Sequence, residues 1–480
     1  MSLIPLIRIL AVVVGIVGLS CLFPLFVALG LGEREVVPAF LTPVVTGVVA
    51  TLFVFLARDK RQSSIGIKTA FFCVAFSWIV ACLIGSVPLI VSGAAPSYID
   101  AFFESVSGFT TTGATVISGL DNLPRSINLW RCQTHWLGGM GIVVLTVAIT
   151  PLLGVGGFYL VKAETTGPEK GRLTPKIANT AKALWLIYMF LTAIEAILLR
   201  IFGMDWIDAV SHSFSTLGTG GFSSRDSSIG GFNSPAVEWI CTIFMLLAAI
   251  NFSLYFHLIS KRFRQVYENS ELRAFLMIIT CSVLLIVFLG RSGGDIIPLR
   301  TALFQVASVI STTGFTTADY TKWSLVAPSV IFSLFLIGGC SGSTGGGVKI
   351  IRWVILRRTL RNEALRLLHP RGVFSLHLDS KPMSPQMVVT VAAFVFLYFA
   401  LVIITTFAGA LTGLDLETSL TGALSMVGNI GPAFGDLGPS ANCGWINPYL
   451  KLWYCFAMLA GRLELYTLMI FLSSSYWKRW

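Results

Sequence analysis

Charged side chains are scarce in this chain of 480 residues. Asp, Glu, Lys and Arg make up 12% of it, whereas hydrophobic residues make up 55%; soluble globular domains carry about twice that share of charge. No segment between the apolar stretches is long enough to build an aqueous core of its own. The composition excludes an ordinary soluble enzyme and predicts a protein that crosses a membrane many times.

Motifs for catalysis and metal binding are also missing. The nine cysteines stand singly, with no CxxC pair and no metal-ligand spacing, and the five histidines form no HExxH pattern. We interpret these residues as parts of the packed interior. The sequence therefore predicts no enzymatic activity and no organic cofactor.

Ten apolar stretches have about the length that a hydrocarbon core of roughly 30 Å requires. They are residues 9–31, 36–57, 69–91, 136–160, 183–202, 239–259, 274–290, 325–355 (interrupted), 388–411 and 450–473. Most of the 34 basic residues lie in linkers after alternate stretches, and most of the 23 carboxylates lie in the opposite linkers. By the positive-inside rule the basic side and both termini are cytoplasmic, so the net charge of +11 reflects topology and not a nucleic-acid partner.

The outer linkers repeat one pattern four times. After the third, fifth, seventh and ninth stretches comes a short apolar segment that ends in a Ser/Thr/Gly-rich turn, and the turns contain Gly113, Gly221, Gly314 and Gly431. We predict a two-helix leader at 1–66 and four repeats at 67–162, 163–262, 263–381 and 382–480. The second helix of the third repeat is the interrupted one.

Each short segment covers only about 20 Å as a helix, so it should enter the membrane and return. Irregular backbone at membrane depth persists only when it is buried in protein or lines water. The predicted fold is therefore an all-α polytopic membrane protein, with four pseudo-symmetric helix/pore-loop/helix repeats around a central ion pore. A ring of backbone carbonyls there would replace the hydration shell of a monovalent cation.

The predicted ion-binding residues surround the four glycines. They are Thr111, Thr112, Gly113, Gly220, Gly221, Thr312, Thr313, Gly314, Asn429, Ile430 and Gly431. None of the turns is a full TVGYG sequence, so we expect a shorter filter than that of a standard potassium channel.

A glycine-rich run interrupts the eighth stretch and predicts a loop at mid-membrane, placed to obstruct the pathway. Its residues are Gly338, Gly339, Cys340, Ser341, Gly342, Ser343, Thr344, Gly345, Gly346 and Gly347. Close helix packing explains only a few of these glycines. A Walker A phosphate loop is excluded, because Val348 stands where that motif needs lysine.

Two basic residues lie well inside apolar segments, and intramembrane cations are functional candidates. We assign Arg462 to the pore beneath the filter, as an electrostatic barrier or a partner of the loop, with pairing to Glu464 as an equal alternative. Lys349 belongs to the gate or extends to the cytoplasmic face. Glu195 is also intramembrane, and the sequence indicates no partner for it.

These features resemble the bacterial Trk/Ktr/HKT potassium transporter superfamily, most closely its TrkH/TrkI-type membrane subunits. The resemblance covers essentially the whole chain and rests on the four turns, on the run from Gly338 to Lys349 and on Leu459–Glu464. It implies potassium uptake across the bacterial inner membrane, a homodimer, a cytosolic TrkA-type nucleotide-binding subunit and gating by the loop. It also implies potassium at the filter residues, and Gly113 favours potassium over sodium.

Two other functions stay open on the sequence alone. One is a sodium- or proton-coupled secondary transporter of the same fold. The other is an intramembrane enzyme, which needs a cluster of titratable residues that faces a cavity.

Overall fold

The computed structural model describes residues 3–56, 67–141, 177–463 and 465, except for residues 293, 295, 325, 373, 380 and 384. Its longer α-helices are Leu3–Ser20, Leu22–Leu31, Val37–Leu56, Ile67–Val91, Arg125–Trp136, Ile177–Ile201, Pro235–Ala249, Phe252–Ile259, Ser270–Ser292, Val326–Leu334, Ile350–Leu368, Pro385–Leu411 and Pro448–Arg462. A short helix spans Phe263–Tyr267, and one antiparallel hairpin pairs His377–Leu378 with Lys381–Pro382.

Six helices in the described ranges are long and apolar enough to cross a membrane. They are Leu6–Leu31, Arg34–Leu56, Phe72–Val91, Lys182–Ile201, Ser270–Gly290 and Pro385–Leu411. Their outward side chains are apolar and exposed, as at Phe55 (68%), Phe396 (73%) and Leu411 (88%). Contiguous apolar surface of this kind faces lipid. The helical membrane fold predicted from composition is confirmed.

Two of the predicted crossings are wrong in detail. The stretch 239–259 is not continuous, because the helices Pro235–Ala249 and Phe252–Ile259 meet at an angle of 93°. Ile250 is extended there, and the side chain of Asn251 accepts a hydrogen bond from the backbone of Ser253, which starts the second helix. A polar residue with capping ability thus ends an otherwise apolar crossing.

The second helix of the first repeat begins at Arg125, eleven residues before the predicted start of its crossing at Trp136. Its first turns are polar, and Asn128, Arg131 and Gln133 are buried in protein. Hydropathy identifies helices that face lipid, so it misses a helix whose neighbours are other helices. The rest of that predicted crossing, residues 142–160, lies outside the described residues, as do residues 466–473 of the last one.

Four short helices occupy equivalent places in the chain. We call them half-helices 1 to 4: Tyr98–Phe109, Trp206–Gly218, Leu299–Ile310 and Leu416–Gly428. With 12 or 13 residues each, they extend for about 20 Å, too short to cross. Side chains of Ser97, Asp205 and Asp415 cap the first, second and fourth at their amino ends.

Ion pairs join neighbouring repeats at the amino ends of the half-helices. Lys451, in the last helix, lies 2.6 Å from a carboxylate oxygen of Asp100 in half-helix 1, and both side chains are buried. Arg125 pairs with Asp205 before half-helix 2. Glu33 of the leader accepts hydrogen bonds from the backbone of Arg125 at 2.8 Å and of Ser126 at 3.2 Å.

The repeat boundaries predicted above stay predictions; those at 66/67 and 162/163 involve residues outside the described part.

Candidate ion pathway

The four predicted turns meet in one closed ring. A methyl group on the α-carbon of Gly113 would lie 2.0 Å from the carbonyl oxygen of Gly220. The corresponding distances are 2.1 Å from Gly221 to Thr313, 2.2 Å from Gly314 to Ile430, and 2.5 Å from Gly431 to Thr112. Each oxygen belongs to the residue just before the glycine of the next repeat. The order 1, 2, 3, 4, 1 therefore closes around a common axis.

Glycine is required at these four positions for two independent reasons. The φ angles of Gly113, Gly221, Gly314 and Gly431 are +85°, +88°, +82° and +100°, a region that L-residues rarely adopt. The neighbouring carbonyl also leaves no space for a Cβ, because real Cβ atoms do not approach within 3.0 Å. Glycine adopts this conformation without steric strain, so the four turns can come within backbone contact of one another.

The residue two places before each glycine has a left-handed backbone too. Thr111, Thr219, Thr312 and Asn429 have φ between 53° and 57°. Three of them belong to the predicted set, but Thr219 does not, although it opens the second turn. The fixed offset of two residues from the glycine is a signal that would have identified it.

The carbonyl oxygens of the ring are bonded by no donor that the described part of the chain provides. Within the described ranges, no backbone or side-chain donor bonds the carbonyl oxygens of Thr112, Gly220, Thr313 or Ile430, although these residues are buried. Buried carbonyl groups are nearly always paired with a donor, with water or with an ion. Four such oxygens around one axis, at the carboxyl ends of four half-helices, form a site suited to a cation.

Hydrogen bonds between side chains hold the turns in place. The hydroxyl oxygens of Thr110 and Thr112 are 2.8 Å apart, and those of Ser311 and Thr313 are 2.7 Å apart. Asn429 donates to the Thr112 hydroxyl at 2.9 Å and to the Met458 carbonyl at 3.0 Å. These bonds link the fourth turn to the first and to the last helix.

A buried ion pair that the sequence analysis did not identify supports the first two turns. Arg131 donates from Nε to Glu104 Oε1 at 2.8 Å, and from Nη1 to the carbonyl of Ser223 at 3.1 Å. Glu104 accepts the backbone N–H of Val116 at 2.9 Å, and the guanidinium lies 4.4 Å from the ring centre of Phe222. The pair holds the chain after both turns. The sequence signal for this pair is that Arg131 and His135 lie close together in a segment with apolar flanks.

His135 and His212 are structural, as predicted. His135 Nδ1 lies 2.7 Å from the Gly108 carbonyl, and its Nε2 accepts the N–H of Phe222 at 3.1 Å. His212 contacts the carbonyl of Asp208 at 2.7 Å and the Ser223 hydroxyl at 2.8 Å. Across the described residues, no group of three or more His, Cys, Asp or Glu side chains is arranged to hold a metal ion.

The glycine-rich loop lies against the ring. The N–H of Gly346 donates to Oγ1 of Thr312 at 2.6 Å. Methyl groups on Gly345 and Gly346 would lie 3.0 Å from the Ser311 carbonyl and 2.5 Å from the Gly428 carbonyl. The loop therefore meets the third and fourth turns on the side where the half-helices end.

The loop closes on itself through backbone hydrogen bonds between its two ends. Gly338 donates to the Val348 carbonyl at 2.9 Å, and Ile350 donates to the Gly339 carbonyl at 3.3 Å. The loop also bonds the bent crossing of the second repeat, because Cys340 donates to the Ala249 carbonyl at 2.9 Å. The predicted interruption of the helix is thus a packed, non-helical segment.

Both predicted intramembrane cations contact the loop. Arg462 donates to the carbonyl of Thr344 at 2.8 Å, and to those of Gly138 at 2.7 Å and Gly139 at 3.2 Å. Lys349 Nζ donates to the carbonyl of Gly345. The predicted alternative partner of Arg462, Glu464, lies outside the described residues. Glu195 is fully buried in the helix that packs against half-helix 2.

The fold and the ring define a class: polytopic helical membrane proteins in which four re-entrant turns converge on one axis. A family model described as "TrkH: Cation transport protein" matches residues 38–291 and 295–479. The chain belongs to this TrkH family of cation transport proteins, and the resemblance found in the sequence is confirmed.

Curated relatives agree with this assignment over most or all of their length. A protein of Halomonas elongata named "Trk system potassium uptake protein TrkH" is 39% identical over 490 residues, which cover 100% of both chains. The Escherichia coli K12 protein of the same name is 39% identical over 89% of this chain and 91% of its own. The crystal structure of the potassium transporter TrkH from Vibrio parahaemolyticus matches all of both chains, with a TM-score of 0.87 and 36% identity.

Proposed function

We propose that this protein takes up potassium across the bacterial cytoplasmic membrane, as the membrane subunit of a Trk system. The relatives are named as potassium uptake proteins and not as enzymes. The observation that carries the proposal is the ring of four carbonyl oxygens that have no hydrogen-bond donor among the described residues. A dehydrated monovalent cation satisfies such oxygens without a proton donor.

The proposed filter comprises the residues of the four turns predicted from the sequence, with Thr219 added to them. Each repeat contributes one left-handed glycine and the carbonyl just before it. The partial negative charges at the carboxyl ends of the four half-helices add to the attraction for a cation. Potassium is the ion transported and not a resident cofactor.

The proposed gate is the loop from Gly338 to Gly347 together with Lys349 and Arg462. The loop lies in contact with the third and fourth turns, and both cations donate to its carbonyls. A segment so close to the axis obstructs ion flow, and positive charge beside it repels a cation. Movement of the loop away from the turns opens the path.

The gate predicts the outcome of a deletion. Removal of part of Gly342 to Gly346 takes away the obstruction, so the 86Rb⁺ uptake of proteoliposomes should rise. A folded variant with unchanged or reduced uptake would contradict the gate.

Partners and orientation are proposed from the family resemblance and from charge. Both termini and the basic helix Ile350–Leu368 face the cytoplasm, and that helix provides a docking surface for a TrkA-type nucleotide-binding subunit. The membrane subunit itself is proposed to form a homodimer.

One experiment separates this function from the ion-coupled alternative. The purified protein in liposomes is tested for 86Rb⁺ uptake with and without a sodium or proton gradient. Uptake that follows the rubidium gradient alone supports a channel-like pathway, whereas uptake that requires a second gradient supports coupled transport. Growth rescue of a potassium-uptake-deficient bacterium at low potassium tests the transported ion independently.

A further inference from the structure

One carboxylate bonds both the intramembrane loop and the helix that follows it. Glu271 Oε1 accepts the N–H of Ser341 at 2.6 Å and the N–H of Ile351 at 3.0 Å. These two residues are ten positions apart in the chain, on either side of the glycines that contact the ring. The Glu271 side chain is buried, with the residue 3% exposed.

Bonds of this kind are strong. A carboxylate that accepts backbone N–H groups makes charge-assisted hydrogen bonds, and burial strengthens them because water does not compete. Glu271 also lies in the first turn of the helix Ser270–Ser292, where the partial positive charge of the helix end favours a carboxylate. The loop leaves its position only if both bonds break or if Glu271 moves with it.

The position of Glu271 is set by a cluster at the start of its helix. Asp379, in the hairpin, accepts the N–H of Ser270 at 2.9 Å. Arg358, in the basic helix, donates to the Ser270 hydroxyl at 2.7 Å and also bonds the carbonyl of His377. The residue next to Glu271 is thus bonded by the hairpin and by the basic helix, whose first turn includes Ile351.

We propose that Glu271 is a positioning residue that latches the loop against the ring, and that the hairpin and the basic helix release it through Ser270. This inference rests on the proposed gating function. The basic helix and the hairpin lie on the side that we propose to be cytoplasmic, so a partner that docks there and displaces Asp379 or Arg358 shifts Ser270. Because Glu271 follows directly in the chain, the two backbone groups that it bonds move with it.

The test uses a readout that does not depend on ion flow. Cys340 lies inside the loop and is 1% exposed, whereas Cys455 is 2% exposed in the last helix and does not belong to the loop. The full-length protein in liposomes is treated with N-ethylmaleimide, and mass spectrometry of its peptides gives the rate at which each cysteine is alkylated. The same preparations are assayed for 86Rb⁺ uptake.

Glu271→Gln keeps the size of the side chain and removes its charge. The matched control is Glu268→Gln, which lies three residues earlier, is exposed and pairs with Arg264. We expect Glu271→Gln to raise the alkylation rate of Cys340 about tenfold, because a total loss of about 1.4 kcal/mol over the two weakened bonds corresponds to a factor of ten. Alkylation of Cys455 should stay unchanged, uptake should rise, and the control should behave as the wild type.

The outcomes separate the latch from the gate. Cys340 alkylation at the wild-type rate in Glu271→Gln overturns the latch. Faster Cys340 alkylation with unchanged uptake supports the latch and contradicts the proposed gate. If Cys340 and Cys455 both react faster, the helix bundle has loosened as a whole. The Asp379→Asn variant then tests the proposal in place of Glu271→Gln. Its control is Glu363→Gln, at an exposed position. Faster alkylation of Cys340 alone in Asp379→Asn supports the relay, and no change contradicts it.

Discussion

The backbone N–H of Gly346 donates a hydrogen bond of 2.6 Å to Oγ1 of Thr312. This bond joins the glycine-rich loop directly to the third turn of the ring. Thr312 is one of the four left-handed residues, at φ 57°, and it is fully buried. The proposed gate and the proposed filter therefore share a contact, so a movement of one affects the position of the other.

Replacement of Thr312 with valine tests this contact. Valine keeps the shape but leaves the N–H of Gly346 without its acceptor, which costs about 1–3 kcal/mol. We expect the loop to leave the ring more often and 86Rb⁺ uptake to increase. The control is Thr280→Val, at an exposed threonine whose hydroxyl bonds only within its own helix. Uptake equal to that of the control would contradict the contact's role.

Replacement of Gly221 with alanine tests whether the turns must be in contact, as distinct from the effect of backbone strain alone. Gly413 has a similar φ, +93° against +88°, but open space surrounds it, whereas a Cβ on Gly221 meets the Thr313 oxygen at 2.1 Å. Both substitutions incur the strain of the left-handed region, about 1–2 kcal/mol. Only Gly221→Ala should abolish uptake. Equal uptake by folded Gly221→Ala and Gly413→Ala would show that the turns do not need to touch.

Serine in place of Gly113 should weaken the preference for potassium. A Cβ at this position would lie 2.0 Å from the Gly220 carbonyl, so the first and second turns must move apart and the spacing of the carbonyls changes. The measurement is competition of sodium with 86Rb⁺ uptake in liposomes. Sodium should compete better in the variant, and identical competition curves would refute the assignment.

The buried pair Glu104–Arg131 should contribute strongly to stability. Its charged groups lie 2.8 Å apart, with exposed fractions of 0% and 1%. Glu104→Gln leaves a buried guanidinium without its charge partner, a change that costs about 3–5 kcal/mol. Asp121→Asn, at the surface pair with Arg225, should cost less than about 1 kcal/mol. Thermal unfolding in detergent compares the two variants, and equal losses of stability would contradict a structural role specific to the buried pair.

The surface pair also predicts a pH dependence. The hydrogen bond from Arg225 lowers the pKa of Asp121 below its ordinary value. A carboxylate with a depressed folded-state pKa stabilises the protein above its unfolded pKa, and this contribution is lost as the pH falls through the folded pKa. The melting-temperature difference between wild type and Asp121→Asn should thus be constant from about pH 8 to 5 and shrink below about pH 4. A difference that shrinks already near neutral pH would contradict the shift.

The repeat could be predicted from the sequence because its signal is local. Each turn contains a glycine, and a constant number of residues separates this glycine from the start of its half-helix, so both features can be read in the sequence. The structure places all four turns in one ring. The loop was visible for the same reason, since such a run of glycines does not hold a continuous helix.

Other parts depend on contacts between distant segments, which no single stretch of sequence records. Arg125–Trp136 is polar and buried, so hydropathy misses its start. Glu104 and Arg131 are 27 residues apart, and Glu271 meets Ser341 across 70 residues. In the sequence, Glu271 resembles an ordinary carboxylate of a basic linker. Only the packing shows that it bonds the loop and the start of the following helix.

The central claim is that carbonyl oxygens from four repeats bind a dehydrated alkali cation on the common axis. Crystals of the protein grown with Rb⁺ or Tl⁺ test it through the anomalous signal of the ion. We expect a peak on the axis, within coordination distance of the carbonyl oxygens of Thr112, Gly220, Thr313 and Ile430, which is lost when potassium replaces the heavier ion. An ordered ring with no peak between these oxygens, in protein that transports Rb⁺, would contradict it.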